Sequence, residues 1–281
     1  MRRRFGWMKE LVPIVGQGTW QMGAPRDRKI ESDTLALGID LGLTHVDTAE
    51  LYGDGRAEEM IGEVVRGRRR DELFIVSKVL PNHATHRGTL AACDASLRRL
   101  GLDYLDVYLL HWPGKAPIPE TMAAMEELIR AGKIRALGVS NFDVPDLETA
   151  EKALSRERIA CNQVCYHLAE RGVERKVIPW CQARDIAVVG YSPFATGHFV
   201  SPSSPGGRAL AEVARRRRAT PRQVALAFLS RLPGTFTIPK SSRPEHVRDN
   251  AGALDLTLGD EDVMTLEDAF PIGPEGPLAV A

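Results

Sequence analysis

The stretches Leu73-Phe74-Ile75-Val76-Ser77-Lys78 and Leu105-Asp106-Val107-Tyr108-Leu109-Leu110-His111 decide how this chain is read. Each is a short apolar run ending on a residue that can carry charge. Runs rich in Val, Ile and Leu suit strands buried on both faces, as in a parallel sheet. Similar runs recur at 134–139 and 186–189. Between them lie segments with helical spacing, such as Met122, Met125, Leu128 and Ile129, or Leu90, Leu97 and Leu100. Helix starts are legible too: Thr220-Pro221-Arg222-Gln223 and Ser242-Arg243-Pro244-Glu245 both read as capping boxes with proline in the first turn.

Strands are therefore predicted at 44–48, 72–78, 105–111, 134–140, 160–165, 186–191, 235–239 and, weakly, 253–257. Eight strands alternating with helices predict an α/β fold, a single-domain (β/α)8 TIM barrel over 1–281. An open doubly wound sheet is the alternative. It is weakened because Gly16-Gln17-Gly18-Thr19-Trp20 and Gly53-Asp54-Gly55-Arg56 both lack the third glycine of G-x-G-x-x-G. Residues 10–23, with glycines at 16, 18 and 23, are expected to form an N-terminal hairpin closing the barrel bottom. Residues 195–207, rich in Pro and Gly, read as a loop insertion after the sixth strand, placed to wall or cover an active site.

Composition narrows the partners. The 281 residues carry 37 basic and 37 acidic side chains, so there is no long-range field to gather nucleic acid or an anionic membrane. No apolar run approaches the roughly 18 to 20 residues of a membrane span. Met1-Arg2-Arg3-Arg4-Phe5-Gly6-Trp7 is basic, but Lys9 and Glu10 interrupt what would be a signal's apolar segment, so a cytoplasmic protein is expected. A monomer is expected, with oligomers left open. Four cysteines are too few for a secreted disulfide framework and are read as free thiols. Cys161 and Cys165 alternate with Gln163 on one strand face, which favours core packing over a metal site with His167. Arg215 to Arg218 precede a helix cap without interleaved aromatic residues and read as a solvated helix face. No G-x-S-x-G, H-E-x-x-H or Walker A sequence occurs.

Chemistry gathers where the predicted strands end. Asp47 ends the first, Lys78 the second and His111 the third, with Tyr52 on the loop after the first. The steps of 31 and 33 residues are one βα unit each, so these ends are neighbours around a barrel mouth. A phenol with an ordinary pKa near 10 is a poor acid or base at neutral pH unless a cation stabilises its anion. Lys78 can supply that cation, Asp47 can keep Lys78 charged and aimed, and His111 can donate a hydrogen bond to the same substrate oxygen. The set reads as a tuned tyrosine moving a proton at a carbonyl or alcohol oxygen. Reduction also requires a hydride, which side chains do not supply, so a nicotinamide cofactor is implied. His45 shares the face of Asp47 and reads as a hydrogen-bonded core histidine.

With these residues in view the chain resembles the aldo-keto reductases, (β/α)8 enzymes that bind nicotinamide cofactor without a Rossmann fold. The resemblance rests on Gly16-Gln17-Gly18-Thr19-Trp20, Asp47-Thr48-Ala49-x-x-Tyr52-Gly53, Ser77-Lys78 and Leu110-His111-Trp112-Pro113. It continues through Gly138-Val139-Ser140-Asn141-Phe142, Asn162-Gln163, Tyr191-Ser192-Pro193 and Ile238-Pro239-Lys240-Ser241, in the family's order. It implies an NADPH-dependent reductase of aldehydes or ketones, with Tyr52 as general acid, Lys78 and Asp47 as its tuning pair, and His111 orienting a small-molecule carbonyl substrate. Ser140, Asn141 and Gln163 would hold the carboxamide, Tyr191 would stack on the nicotinamide, and Ser192 would lie along the pyrophosphate. Lys240, Ser241 and Asn250 would surround the adenosine end. Thr19 and Trp20 would close the site, with Trp20 and Trp112 as apolar walls. Where many NADPH-preferring relatives have an arginine, this chain has His246, with Lys240 and Arg243 retaining positive charge; NADPH is expected, with NADH possible. Only twelve residues follow a helix predicted at about 260–269, so an open, tolerant substrate site is expected. The alternative carried by the resemblance is a nicotinamide-binding redox-sensing regulatory subunit with little turnover.

Overall fold

A computed structural model describes residues 1–280. Eight parallel strands lie side by side in chain order: β3 (Gln17–Gly18), β4 (His45–Asp47), β5 (Phe74–Val79), β6 (Leu105–Leu110), β7 (Ile134–Ser140), β8 (Ile159–Cys165), β9 (Ala187–Tyr191) and β10 (Thr235–Thr237). The ring closes between its first and last members. The Gly16 amide donates to Thr237 O at 2.8 Å, the Thr237 amide to Ile14 O at 2.9 Å and the Gly18 amide to Pro239 O at 3.2 Å. Every residue of β5 and β6 is buried, which is why both read as largely apolar runs, interrupted only by Ser77, Lys78 and Asp106.

Helices form the outer layer: α1 (Arg28–Asp40), α2 (Arg56–Val65), α3 (His86–Leu100), α4 (Ile118–Arg130), α5 (Val144–Ala153), α6 (Val177–Gln182), α7 (Pro205–Arg217), α8 (Pro221–Leu229), α9 (Pro244–Gly252) and α10 (Asp260–Ala269). Their apolar faces join the outward side chains of the strands in one large cluster, while a second cluster fills the barrel interior. The Thr220 capping box at α8 forms as read. The one read at Ser242 does not: Arg243 is the N-cap of α9 and makes no side-chain cap. Ser241 Oγ instead accepts from the Arg243 amide at 3.2 Å.

Two strand assignments are corrected. The eighth strand is not 253–257, where the chain forms a 3-10 turn at Ala253–Asp255 continuing from α9. It is β3, within the segment read as a hairpin. Two residues flanked by glycine offer no apolar run, and the glycines are there for proximity: a Cβ on Gly16 would lie 2.7 Å from His45 O, and one on Gly18 2.8 Å from Ile238 O. The hairpin lies earlier in the chain, as antiparallel β1 (Arg2–Arg4) and β2 (Leu11–Pro13). It does close the bottom. Phe5, fully buried, packs its ring 4.7 Å from Phe74 and 5.0 Å from Phe236.

His45 sits just above this plug, edge-on to Phe5 and Phe74 at 5.8 and 5.4 Å. Neither of its ring nitrogens has a partner among the described residues, against the expected hydrogen-bonded histidine. Burial, helped by the Lys78 charge, lowers its pKa to about 3, so it stays neutral. The insertion after β9 is shorter than 195–207, because Ser204 caps α7 and Pro205 opens it. Its remaining part is unusual: Ala195 and Thr196 both have φ of 51°, in the left-handed region.

Candidate active site

The C-terminal ends of the strands surround a pocket of about 850 Å3. β4 delivers Asp47, β5 delivers Lys78, the turn after β6 delivers His111, and the loop after β4 brings Tyr52 back over them. Lys78 is wholly buried and makes three contacts: Asp47 Oδ1 at 2.6 Å, Thr48 O at 2.8 Å and Tyr52 Oη at 3.3 Å. The other Asp47 oxygen accepts from Gln163 Nε2 at 2.7 Å. Both carboxylate oxygens and the ammonium are thus satisfied, as a charge pair removed from water requires.

Burial works against the Lys78 ammonium, but Asp47 and Tyr52 outweigh it and its pKa ends above the ordinary lysine value. Burial pushes the Asp47 carboxyl upward, and Lys78 and Gln163 return only part of that shift. The Tyr52 phenol is also raised, by burial first, with Lys78 opposing. Lys78 draws the phenol down as expected, but burial outweighs it and the net shift is upward. Desolvation exceeds the attraction of one cation 3.3 Å away, and Tyr52 rests as a protonated phenol. His111 packs edge-on to Tyr52 at 5.7 Å and against Trp112 at 4.6 Å. Burial and the Lys78 charge lower its pKa to about 2, which keeps the imidazole neutral.

A polar ladder continues around the rim. Ser140 Oγ donates to Gln163 O at 2.9 Å, Asn141 Nδ2 to His111 O at 3.0 Å, and Tyr191 Oη to Asn141 Oδ1 at 2.8 Å. Asn141 has φ of 60°, a left-handed conformation that Asn tolerates better than most residues. Thr19 Oγ1 donates to Asp47 O at 2.9 Å and ties the first loop to the floor. These residues line the pocket together with Trp20, Trp112, Ser192 and Lys240. Ser241, Arg243, His246 and Asn250 do not. Asn250 is buried in α9, Arg243 is exposed, and His246 is half-buried in that helix's first turn.

Thr196 and Gly197, from the segment read as a wall, do line the pocket, whereas sequence reasoning missed Leu51, Phe194 and Val280. Leu51 adjoins Tyr52 and was within reach of the same motif. Val280 was not, and it changes the reading of the tail: the few residues after α10 are enough to reach the mouth. Arg175 donates to the carbonyls of Ile272 and Gly273, and Lys176 pairs with Glu275, which ties the tail across the loop after β8. The mouth is therefore partly walled by the tail.

No group of three or more His, Cys, Asp or Glu is placed to hold a metal among the described residues, and the four cysteines are free and buried. Nor is any helix among them long and apolar enough to cross a membrane. In the 215–218 run, Arg216 and Arg217 pair with Asp262.

A parallel barrel with a buried Lys–Asp pair beneath a tyrosine defines a barrel oxidoreductase, and comparison with known proteins makes the class specific. The aldo/keto reductase family model matches residues 15–270. Methylglyoxal reductase YeaE of Escherichia coli (strain K12) is 43% identical over 270 residues, covering 96% of this chain and 94% of that protein. Glyoxal reductase of Bacillus subtilis (strain 168) is 36% identical over 254 residues, covering 90% and 87%. An aldo-keto reductase from Klebsiella pneumoniae, solved in complex with NADPH, superposes with a TM-score of 0.92 at 43% identity, covering 100% of this chain and 99% of that one. The chain belongs to the aldo/keto reductase family.

Proposed function

We propose that the protein reduces aldehydes and ketones to alcohols with NADPH, and that Tyr52 is the proton donor. The observation carrying this is the Tyr52 hydroxyl, protonated at rest, 3.3 Å from a fully buried ammonium and on the wall of a pocket large enough for cofactor and substrate. The donor set fits NADPH. Ser140, Asn141 and Gln163 present amide and hydroxyl groups for the carboxamide, Tyr191 a ring for stacking, Ser192 a contact to the pyrophosphate, and Lys240 a cation toward the phosphate-bearing end. Bound there, NADPH supplies the hydride to the carbonyl carbon.

The residues of the chain do the rest. Neutral His111 and the Tyr52 hydroxyl hold the carbonyl oxygen. As negative charge develops on that oxygen Tyr52 gives up its proton, and Lys78 stabilises the phenolate left behind. Asp47 and Gln163 keep Lys78 in place, so no reorganisation is needed at that moment. Trp20, Leu51, Trp112 and Val280 form an apolar, uncharged outer wall for the substrate. The names of the two relatives make 2-oxoaldehydes such as methylglyoxal the first substrates to try.

The test is loss of NADPH absorbance with methylglyoxal and with an activated aromatic aldehyde, wild type against Tyr52→Phe, repeated with NADH. Tyr52→Phe is expected to lower turnover by about 10²-fold or more while cofactor binding, read by fluorescence quenching, stays nearly unchanged. Turnover retained in Tyr52→Phe sinks the assigned role. Tight NADPH binding without turnover on any carbonyl replaces the enzyme by a cofactor-sensing protein.

A further inference from the structure

One nearly buried acid beside Tyr52 and Lys78 has no part in the steps above. Glu50 lies on the loop after β4, two residues before Tyr52, and its side chain is 8% exposed. Its Oε1 accepts from the Leu80 amide at 2.6 Å, and His83 Nδ1 stands 3.0 Å from the same oxygen. A carboxylate only accepts, so His83 Nδ1 carries the hydrogen of that contact. Leu80 follows β5 and lies two residues beyond Lys78. A side chain just before the phenol is thus bonded to backbone just after the ammonium.

Backbone pairing holds this loop only at its start. The Thr48 amide donates to Val76 O at 2.9 Å, but the next bond, from the Glu50 amide to Lys78 O, has lengthened to 3.4 Å as the chain turns out of the sheet. Lys78 Nζ reaches Thr48 O, also before the turn. The Tyr52 amide bonds to Ala49 O at 3.0 Å, a contact within the loop that would move with it. Downstream, Gly53, Asp54 and Gly55 have φ of 60°, 55° and 87°, a left-handed run in which the two glycines have no strong preference of their own for that shape.

A buried acid can serve the fold alone, and Glu126 shows that pattern. It accepts from the successive amides of Ser155, Arg156 and Glu157 in one loop, none of which lines the pocket. Glu50 instead joins two segments, each carrying one member of the Tyr52–Lys78 contact. We infer that Glu50 is a positioning residue: it ties the Tyr52 loop to the end of β5 and so holds the phenol against Lys78 and the substrate oxygen, with His83 securing the carboxylate from its exposed side. The inference rests on the proposed role of Tyr52 as proton donor.

The test reads the placement of Tyr52 and the chemical step separately. In protein labelled with fluorotyrosine, the fluorine resonance missing from Y52F belongs to Tyr52; single-turnover reduction by NADPH-loaded protein reports the chemical step. E50A should move or broaden the Tyr52 resonance and slow the chemical step about tenfold or more, with NADPH affinity as in wild type. E50Q keeps an acceptor oxygen for the Leu80 amide and should recover most of both. E126A should lower the thermal midpoint and leave both readings as in wild type, showing that lost stability alone does not produce them. An unmoved Tyr52 resonance in E50A overturns the inference. So does a wild-type rate in E50A while Y52F is inactive, a fall in NADPH affinity parallel to the rate, or an E50Q no better than E50A. If Y52F itself turned over at the wild-type rate, the donor assignment would fail, and the resonance alone would decide whether Glu50 places Tyr52.

Discussion

The two ends of the barrel interior are built from the same strands and solve opposite problems. At the bottom, Phe5, Phe74, Phe236 and His45 pack ring against ring with no charge among them. At the top, two residues further along β4, Asp47 begins a chain of charged and polar contacts through Lys78 and Tyr52 that faces an open pocket. The aromatic plug excludes water from below, and that exclusion is what makes the Lys78–Asp47 pair strong and the phenol hard to ionise. One end packs the barrel floor, and the other holds a buried charge pair and a protonated phenol at the wall of an open pocket.

Breaking the top end should have the largest effect. Lys78→Met leaves Asp47 without its cation, and losing one member of a buried pair costs about 3–5 kcal/mol. Protonation of a carboxyl whose pKa burial already raises will moderate that loss. Turnover should fall by about 10²-fold or more as well. Urea unfolding and NADPH oxidation measured on the same preparation check both, and a folded variant with wild-type turnover would refute the role of the pair.

Breaking the bottom end should separate the two functions. Phe5→Ala opens a cavity under the barrel at a cost of about 3–5 kcal/mol, while turnover per folded molecule stays within a factor of a few of wild type. A collapse in turnover at temperatures where the variant is still folded would show that the ends are more tightly coupled than the contacts indicate.

The mildest test uses the histidine at each end. In the unfolded chain both take up a proton near pH 6.5; in the folded protein they do so only near 3 for His45 and 2 for His111. Their contribution is complete above pH 6.5 and is lost as the pH falls toward those folded values, at about 1.4 kcal/mol per unit for each histidine. His45→Leu should therefore flatten the acid limb of the stability profile by about that amount per pH unit. Urea midpoints between pH 4 and 7 give the slope, and an unchanged slope would mean that His45 is protonated in the folded state.

The polar residues of the top end were legible in the chain because most of them follow or interrupt an apolar run. A polar group at the edge of a doubly buried strand has no structural reason to be there unless it is partnered or used, and the spacing of one βα unit places such groups side by side. Asp47, Lys78 and His111 were readable on that ground, and Tyr52 from its place on the loop five residues after Asp47; seven of the eight strands were readable from their apolar runs. β3 was not, because its identity lies in close backbone contacts at Gly16 and Gly18 rather than in side chains. Val280 was invisible for a similar reason: nothing local distinguishes a tail residue tied across a pocket from a loose one. The balance at Tyr52 also needed the fold, since residue types tell which charges are near but not how much water is absent. Local pattern and spacing carried the strand order and the identity of the polar groups. The ring closure, the tail across the mouth and the sign of the tyrosine shift were settled by contacts between residues far apart in the chain, whose strength depends on distance and burial.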